Sequence, residues 1–314
     1  MQATLNTVHN MEHAATPGTV LELRQATKDY GKVRALDAVS IGINRGECVA
    51  LLGRNGAGKT TAVGLLLGLD RPDSGQALMF GADPFALQNR VRTGTMMQVT
   101  GMPDTLTVQE HLEGFASYYP APLGVAQILA STGLSGLEKR LYGKLSGGQK
   151  QRLHLAISLV GDPEILFLDE PTTGLDVNTR KALWQLVREF RDRNRTVVLT
   201  THYLEEADAL ADRIVVLNHG RVVAEGTPDQ IRASTAGKRI RAVTGFRVEE
   251  ARELPGVARA VRDGDTLELH VTEAETATRA LLQRDAQLRD LEVTTIGLDE
   301  AFISLTGDAR EVPS

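Results

Sequence analysis

The sequence has few of the features that would place it in a membrane or in an oxidising compartment. Its one cysteine, Cys48, lies in an apolar run, which is typical of a small buried residue in a reducing compartment. The longest apolar runs, such as Cys48–Leu52 and Leu65–Leu67, are far shorter than the ~20 residues of a membrane-spanning helix. Residues 1–18 lack the charged start and apolar stretch of a signal peptide. We therefore expect a cytoplasmic chain with a flexible tail over residues 1–18.

The sequence also lacks an excess of basic charge. Its 35 basic and 40 acidic residues give a formal net charge of −5, and this balance does not favour a nucleic-acid partner. With 42% hydrophobic and 24% charged residues in 314 positions, the composition is that of a globular protein with one large core and a second, smaller one.

Two hydrophobic periodicities alternate through the first 226 residues. Short apolar runs rich in β-branched residues predict strands at 47–52, 164–168, 196–200 and 213–217. Helical spacing predicts helices at 59–67, 177–191 and 203–211. Strands alternating with helices indicate an α/β fold with a parallel sheet covered on both faces. Residues 107–161 interrupt the alternation and read as a helical insertion, with helices at 108–119, 125–131 and 147–159.

The character of the sequence changes after Gly226-Thr227-Pro228. Strands are predicted at 239–244, 257–262, 266–271 and 291–296, and helices at 248–254 and 273–282. This order, βαββαβ, is that of a small α+β, ferredoxin-like domain. We therefore expect a first domain over 19–228, a C-terminal accessory or regulatory domain over 236–307 and a tail over 308–314.

The strongest motif is a complete phosphate-binding loop between a predicted strand and a predicted helix. Its residues are Gly53, Arg54, Asn55, Gly56, Ala57, Gly58, Lys59, Thr60 and Thr61. Glycines let successive backbone N–H groups turn towards phosphate oxygens, and the helix N-terminus adds its positive end. Lys59 would contact the β- and γ-phosphates of ATP, and the Thr60 hydroxyl would bind Mg²⁺.

A second motif, Ile165–Glu170, consists of a buried strand that ends in two carboxylates. Open α/β sheets bind ligands at the C-terminal ends of their strands. Asp169 is therefore a candidate ligand for Mg²⁺. Glu170 would lie near the γ-phosphate as the general base or the group that orients water.

A third motif, Leu145-Ser146-Gly147-Gly148-Gln149, places a serine and two glycines at the start of a helix. This is another anion-binding helix N-terminus, and one triphosphate does not need two such sites within one domain. Two copies facing head to tail would use both, since the motif of one copy would close on the γ-phosphate held by the other. The sequence therefore predicts a two-fold dimer with composite sites.

Together these motifs resemble the ATPases of ATP-binding cassette (ABC) transporters over essentially all of Val20–Thr227. The resemblance implies that Tyr30 stacks on adenine and that Gln98 contacts Mg²⁺ or the attacking water and senses a membrane subunit. It assigns Asp176 to the D-loop, which with Ser146, Gly147, Gly148 and Gln149 serves the partner's ATP, and His202 to the catalytic switch. Arg54 departs from the proline common at its position, where the contribution comes from the backbone.

Two further stretches, Thr201–Asp208 and Leu298–Gly307, resemble the drug-resistance exporter branch of the family. The branch implies an ATP hydrolase that powers a separate transmembrane permease at the inner face of the cell membrane and exports a drug-like or lipid-like compound. Two alternatives stay open: the ATPase of an importer, and a soluble cassette protein acting on ribosomes or DNA. The sequence does not identify the cargo, because the transport path would lie in the permease.

Overall fold

A computed structural model describes residues 18–97, 101–233, 238–295 and 298–306 of the protein. The chain divides into two compact units. One comprises the residues up to Asp212 with Leu217–Val222, and the other comprises Arg213–Val216 with the chain from Val223 onward. The domain limits 19–228 and 236–307 stay predictions. Within the described ranges, every helix is too short or too polar to cross a bilayer.

From Thr19 to Gly226 the described chain forms both strands and helices. The strands are β1 (Thr19–Tyr30), β2 (Val33–Asn44), β3 (Cys48–Leu52), β4 (Ser74–Met79), β5 (Thr93–Met96), β6 (Ile165–Asp169), β7 (Thr196–Thr201), β8 (Arg213–Asn218) and β9 (Arg221–Gly226). The helices are α1 (Lys59–Leu66), α2 (Leu87–Arg90), α3 (Val108–Ala116), α4 (Val125–Ser131), α5 (Gly147–Leu159), α6 (Val177–Arg191) and α7 (Leu204–Leu210).

The central sheet has the strand order β5-β6-β7-β3-β8-β9. The pairs β5–β6, β6–β7 and β3–β7 are parallel. Every residue of β3 and β7 is buried, which explains their continuous apolar runs, because a parallel sheet is covered on both faces. The predicted α/β fold with a parallel sheet is confirmed.

A second, three-stranded antiparallel sheet of order β2-β1-β4 was not predicted from the sequence. Strands β1 and β2 are each 12 residues long, but their pairing shifts register at several points, one of them between Leu23 and Ala26. Each shift moves the buried positions to the other parity along the strand. The period-2 pattern by which a strand is found in a sequence is therefore broken.

The helical insertion packs around its own apolar cluster, which includes Val108, Leu112, Ile128, Leu153 and Val160. Capping boxes start two of its helices, with Thr107 and Glu110 at α3 and Ser146 and Gln149 at α5. The predicted bounds of α4 and α5 are confirmed. Helix α3 ends at Ala116 and not at the predicted Tyr119. Pro120 disfavours the helical conformation at Tyr119, the residue before it, so the helix ends earlier.

The C-terminal part has the predicted ferredoxin-like order. Its elements are α8 (Pro228–Ala233), β10 (Lys238–Val243), α9 (Val248–Arg252), β11 (Val257–Asp263), β12 (Thr266–Val271), α10 (Ala274–Arg284), β13 (Arg289–Thr295) and α11 (Leu298–Thr306). Strands β10–β13 form an antiparallel sheet of order β11-β12-β10-β13. Its core includes Ile240, Leu267, Leu269 and Leu281.

Within this core, Leu269→Ala is expected to lower the free energy of unfolding of the C-terminal sheet by about 2–5 kcal/mol, because Leu269 is fully buried and a cavity would remain. The matched control is Leu282→Ala on α10, whose side chain is 51% exposed. Hydrogen exchange of the β10–β12 amides measures the difference. Equal exchange in the two variants would contradict this description of the core.

Candidate active site

Three neighbouring strands of the central sheet bring the sequence motifs to one edge. In the order β6-β7-β3, Asp169 lies opposite Thr200, and Leu52 lies opposite Thr201. Since the strands are parallel and in register, the segments that follow them leave the sheet side by side. The phosphate loop, Glu170 and His202 are thereby grouped at the C-terminal edge, as expected for a ligand site.

The loop between β3 and α1 has a backbone that requires glycine at two positions. Gly56 has φ +81° and Gly58 has φ +105°, values that L side chains rarely adopt. A Cβ at Gly58 would also lie 2.5 Å from the carbonyl oxygen of Ala35. The loop tip at Arg54, Asn55 and Gly56 is exposed. The geometry leaves the tip open to a ligand while its base is tightly packed.

The Lys59 side chain curls back over this loop. Its Nζ donates to the carbonyl oxygen of Gly53 at 2.6 Å and to that of Arg54 at 3.2 Å, and the residue is 7% exposed. Burial lowers the pKa of Lys59, while the charges of Glu170 and Asp169 act in the opposite direction. A cation held by two neutral carbonyls can exchange them for phosphate oxygens, which are stronger acceptors.

The oxygen donors near the loop fit a magnesium ion. Asp169 ends β6 and accepts a hydrogen bond from the Thr200 hydroxyl, and Thr60 is exposed at the start of α1. The described residues contain no group of three or more His, Cys, Asp or Glu side chains able to hold a metal. Mg²⁺ prefers this kind of site, with one or two protein oxygens completed by phosphate and water.

Glu170 and His202 form a pair at the end of β6 and β7. His202 Nδ1 lies 3.2 Å from Glu170 Oε1. Glu170 has φ +47°, a conformation that costs a non-glycine residue about 1–2 kcal/mol. Its N–H donates to the carbonyl oxygen of Thr200 at 2.9 Å, which holds it there. Strain of this kind is typical of functional positions.

Tyr30 presents half of its surface to solvent at the end of β1. Its hydroxyl donates to Asp70 Oδ2 at 2.9 Å, and Lys28 Nζ lies 3.0 Å from Asp70 Oδ1. Burial of the hydroxyl and its bond to Asp70 raise the pKa of Tyr30, and a hydrogen bond with Thr61 of the phosphate loop lowers it. The half-exposed ring therefore stands next to the loop, with Lys28 Nζ 5.4 Å from its centroid.

Ser146 and Gly147 stand exposed at the N-terminus of α5. The Ser146 N–H donates to Gln149 Oε1 at 2.9 Å, and the Gln149 N–H donates to Ser146 Oγ at 3.3 Å. A Cβ added at Gly147 would meet nothing within 4 Å. The first turn of α5 is open to an approaching molecule.

Asp176 is the N-cap of α6, and its carboxylate accepts from the N–H groups of Asn178 and Thr179 at 3.0 Å. The Thr179 hydroxyl also donates to Asp176 at 2.6 Å, and this bond contributes most to lowering the pKa of Asp176. A Cβ at Gly148 would lie 2.9 Å from Thr179 Cγ2. The third motif and the D-loop therefore touch within one chain.

The Gln151 side chain joins the helix of the third motif to the loop after Glu170. Its Nε2 donates to the Pro171 carbonyl oxygen at 2.8 Å. Sequence reasoning missed Gln151, Thr200 and Asp70. Gln151 lies between Lys150 and Arg152 in the polar half of α5, so its sequence context carries no signal for this contact. Gln98 lies outside the described residues.

Two family descriptions match different parts of the chain. Residues 36–173 match "ABC transporter", and residues 226–306 match "ATP-binding protein DrrA1-3-like, C-terminal domain". Among solved structures, an ATP-binding subunit of an ABC transporter has a TM-score of 0.62 at 30% identity, covering 69% of this chain and 93% of that one. A dimeric ATP-binding cassette bound to ADP and phosphate has a TM-score of 0.59 at 26% identity, covering 66% and 98%.

Curated relatives match over almost the whole length. The daunorubicin resistance ATP-binding protein DrrA3 of Streptomyces coeruleorubidus is 39% identical over 94% of this chain and 98% of its own. The Nod factor export ATP-binding protein I of Paraburkholderia xenovorans is 36% identical over 93% and 98%. The resemblance drawn from the sequence motifs is confirmed. The chain belongs to the ABC transporter family, as an ATP-hydrolysing subunit of the drug-resistance exporter branch.

Proposed function

We propose that this chain powers the export of a drug-like or lipid-like compound through a separate transmembrane permease. The observation that carries the proposal is the match over 94% of the chain, including the C-terminal domain, to a daunorubicin resistance ATP-binding protein. Because such a subunit works on a permease, its place is on the cytoplasmic side of the cell membrane. The importer and the non-transport cassette remain the alternatives.

In the proposed reaction, ATP lies along the phosphate loop with its adenine against Tyr30. The N–H groups of Gly53–Thr61 and the Lys59 ammonium bind the β- and γ-phosphates. Thr60, Asp169 and Gln98 would hold Mg²⁺, which neutralises charge on the phosphates. The fixed carboxylate of Asp169, already bonded to Thr200, supports this assignment.

Glu170 orients the attacking water and accepts a proton from it, and His202 stabilises the position of Glu170. Their contact at 3.2 Å supports this pairing. The Glu170 carboxylate can accept a proton from water, and a ring N–H of His202 can donate either to that carboxylate or to the γ-phosphate. Product release would then loosen both groups at once.

The ATP of one chain would be completed by Ser146, Gly147, Gly148, Gln149 and Asp176 of a second copy. The first turn of α5 is open and the tip of the phosphate loop is exposed. This supports a two-fold dimer in which the first turn of α5 of each copy covers the phosphate loop of the other. ATP binding would close the dimer, and loss of the γ-phosphate would open it. Gln98 and the helical insertion would pass this movement to the permease.

The C-terminal domain would have an accessory or regulatory role. All residues assigned to ATP lie before Gly226, and the described part of the C-terminal sheet has no phosphate loop and no cluster able to bind a metal. The domain thus has no evident share in the chemistry.

Direction of transport is tested in cells that express the chain with its permease. The measurement is the intracellular accumulation of a fluorescent anthracycline, compared between the wild type and Glu170→Gln. We expect lower accumulation with the wild type. Higher accumulation with the wild type would instead identify an importer, and equal accumulation would count against anthracycline-like cargo.

Glu170→Gln is expected to keep ATP affinity and to lower kcat by about 100-fold or more, as the loss of a general base does. Single-turnover hydrolysis and binding of a fluorescent ATP analogue measure the two quantities separately. Glu189→Gln, an exposed carboxylate on α6, is the matched control and should hydrolyse ATP normally. Normal turnover by Glu170→Gln would disprove its catalytic assignment.

The composite site is tested by mixing two inactive chains. Lys59→Ala removes the cation from the phosphates, and Ser146→Arg blocks the third motif. A mixed dimer places both defects in one site and leaves the other intact, so ATPase activity should return on mixing, to at most a quarter of the wild-type value if pairing is random. Mixed dimers verified by differential tags that stay inactive would rule out the arrangement in trans.

A further inference from the structure

A carboxyl group that the proposed reaction does not use lies buried behind the catalytic pair. Glu206, in the first turn of α7, is fully buried, whereas its neighbour Glu205 has a side chain that is 80% exposed. Burying an ionised carboxylate without a cationic partner is costly, so such a group usually becomes neutral or has a function. Burial raises the pKa of Glu206, and the side chains of Thr201, Trp184 and Thr172, together with the positive charge of Arg180, offset part of the rise.

The contacts of Glu206 lie on the segments that carry the catalytic pair. Thr201 precedes His202, and Thr172 follows Glu170 by two residues. The indole Nε1 of Trp184, on α6, donates to Glu206 Oε1 at 3.2 Å. Asp176 is the N-cap of α6, so a third segment of the proposed site meets the same carboxyl.

One side of this carboxyl is unsatisfied. Within the described residues, Glu206 Oε2 and the Thr172 hydroxyl are both buried and have no hydrogen-bond partner. The Thr172 hydroxyl can donate to a carboxylate or accept from a protonated carboxyl, so these two oxygens can form a hydrogen bond in either protonation state of Glu206. Leaving both buried oxygens unpaired is unfavourable, so a hydrogen bond between them would stabilise the loop after Glu170.

We infer that Glu206 is a positioning residue, a buried hydrogen-bonding group that holds the Glu170 loop, the His202 turn and α6 in the arrangement needed for hydrolysis. The inference rests on the proposed roles of Glu170 and His202. The Glu206 side chain is fully buried, so it acts through Thr172, Thr201 and Trp184.

The test compares kcat and KM for ATP among variants of the full chain. Glu206→Ala should lower kcat by about 10- to 100-fold, the cost of a misplaced catalytic group, with KM for ATP unchanged. Glu206→Gln, which also accepts from Trp184 and donates to Thr172, should retain most of the activity. Glu205→Ala is the matched control and should behave as the wild type.

Thr172→Val separates positioning from simple packing and keeps the test decisive if Glu206→Ala fails to fold. Removing an unpaired buried hydroxyl should leave the melting temperature unchanged or higher, yet we expect kcat to fall. Normal kcat in Thr172→Val, normal kcat in Glu206→Ala, or a Glu206→Gln protein without activity would each overturn the inference. Glu170→Gln run alongside keeps the two proposals distinguishable: if it hydrolyses ATP normally, the catalytic assignment itself is wrong.

Discussion

The site depends on the register of three buried parallel strands, β6, β7 and β3. Their backbone hydrogen bonds place Asp169 beside Thr200 and Leu52 beside Thr201, so the loops that follow the three strands leave the sheet at one edge. A shift of one residue would turn each side chain to the opposite face of the sheet. Burial on both faces makes such a shift very costly, because the close-packed side chains on both faces would have to repack.

A second feature is that the parts of the site are tied to one another within a single chain. Gln151 links α5 to the loop after Glu170, and Thr179 links Asp176 to the first turn of α5. The third motif, which would bind the partner's ATP, is thus attached to the segment that would hydrolyse the chain's own ATP. In the proposed dimer, this attachment would couple the two sites.

The sequence predicted those features whose signal is local. Buried parallel strands leave continuous apolar runs, and the order βαββαβ follows from turns and periodicity. The sheet of β1, β2 and β4 escaped prediction because register shifts break its alternation. Thr200, Asp70 and Glu206 escaped as well, because their importance depends on neighbours distant in sequence, such as Trp184 for Glu206. A glutamate in a helix usually lies in water, and only the packed structure distinguishes Glu206 from Glu205.

The central claim is that ATP is held between the phosphate loop of one chain and the third motif of another. Light scattering after size exclusion measures it directly on Glu170→Gln, where hydrolysis no longer reopens the dimer. The account predicts a dimer with Mg²⁺ and ATP, a monomer without nucleotide, and a monomer under both conditions when Ser146→Arg is added. A protein that stays monomeric at saturating ATP, or a dimer that forms regardless of Ser146→Arg, would contradict it.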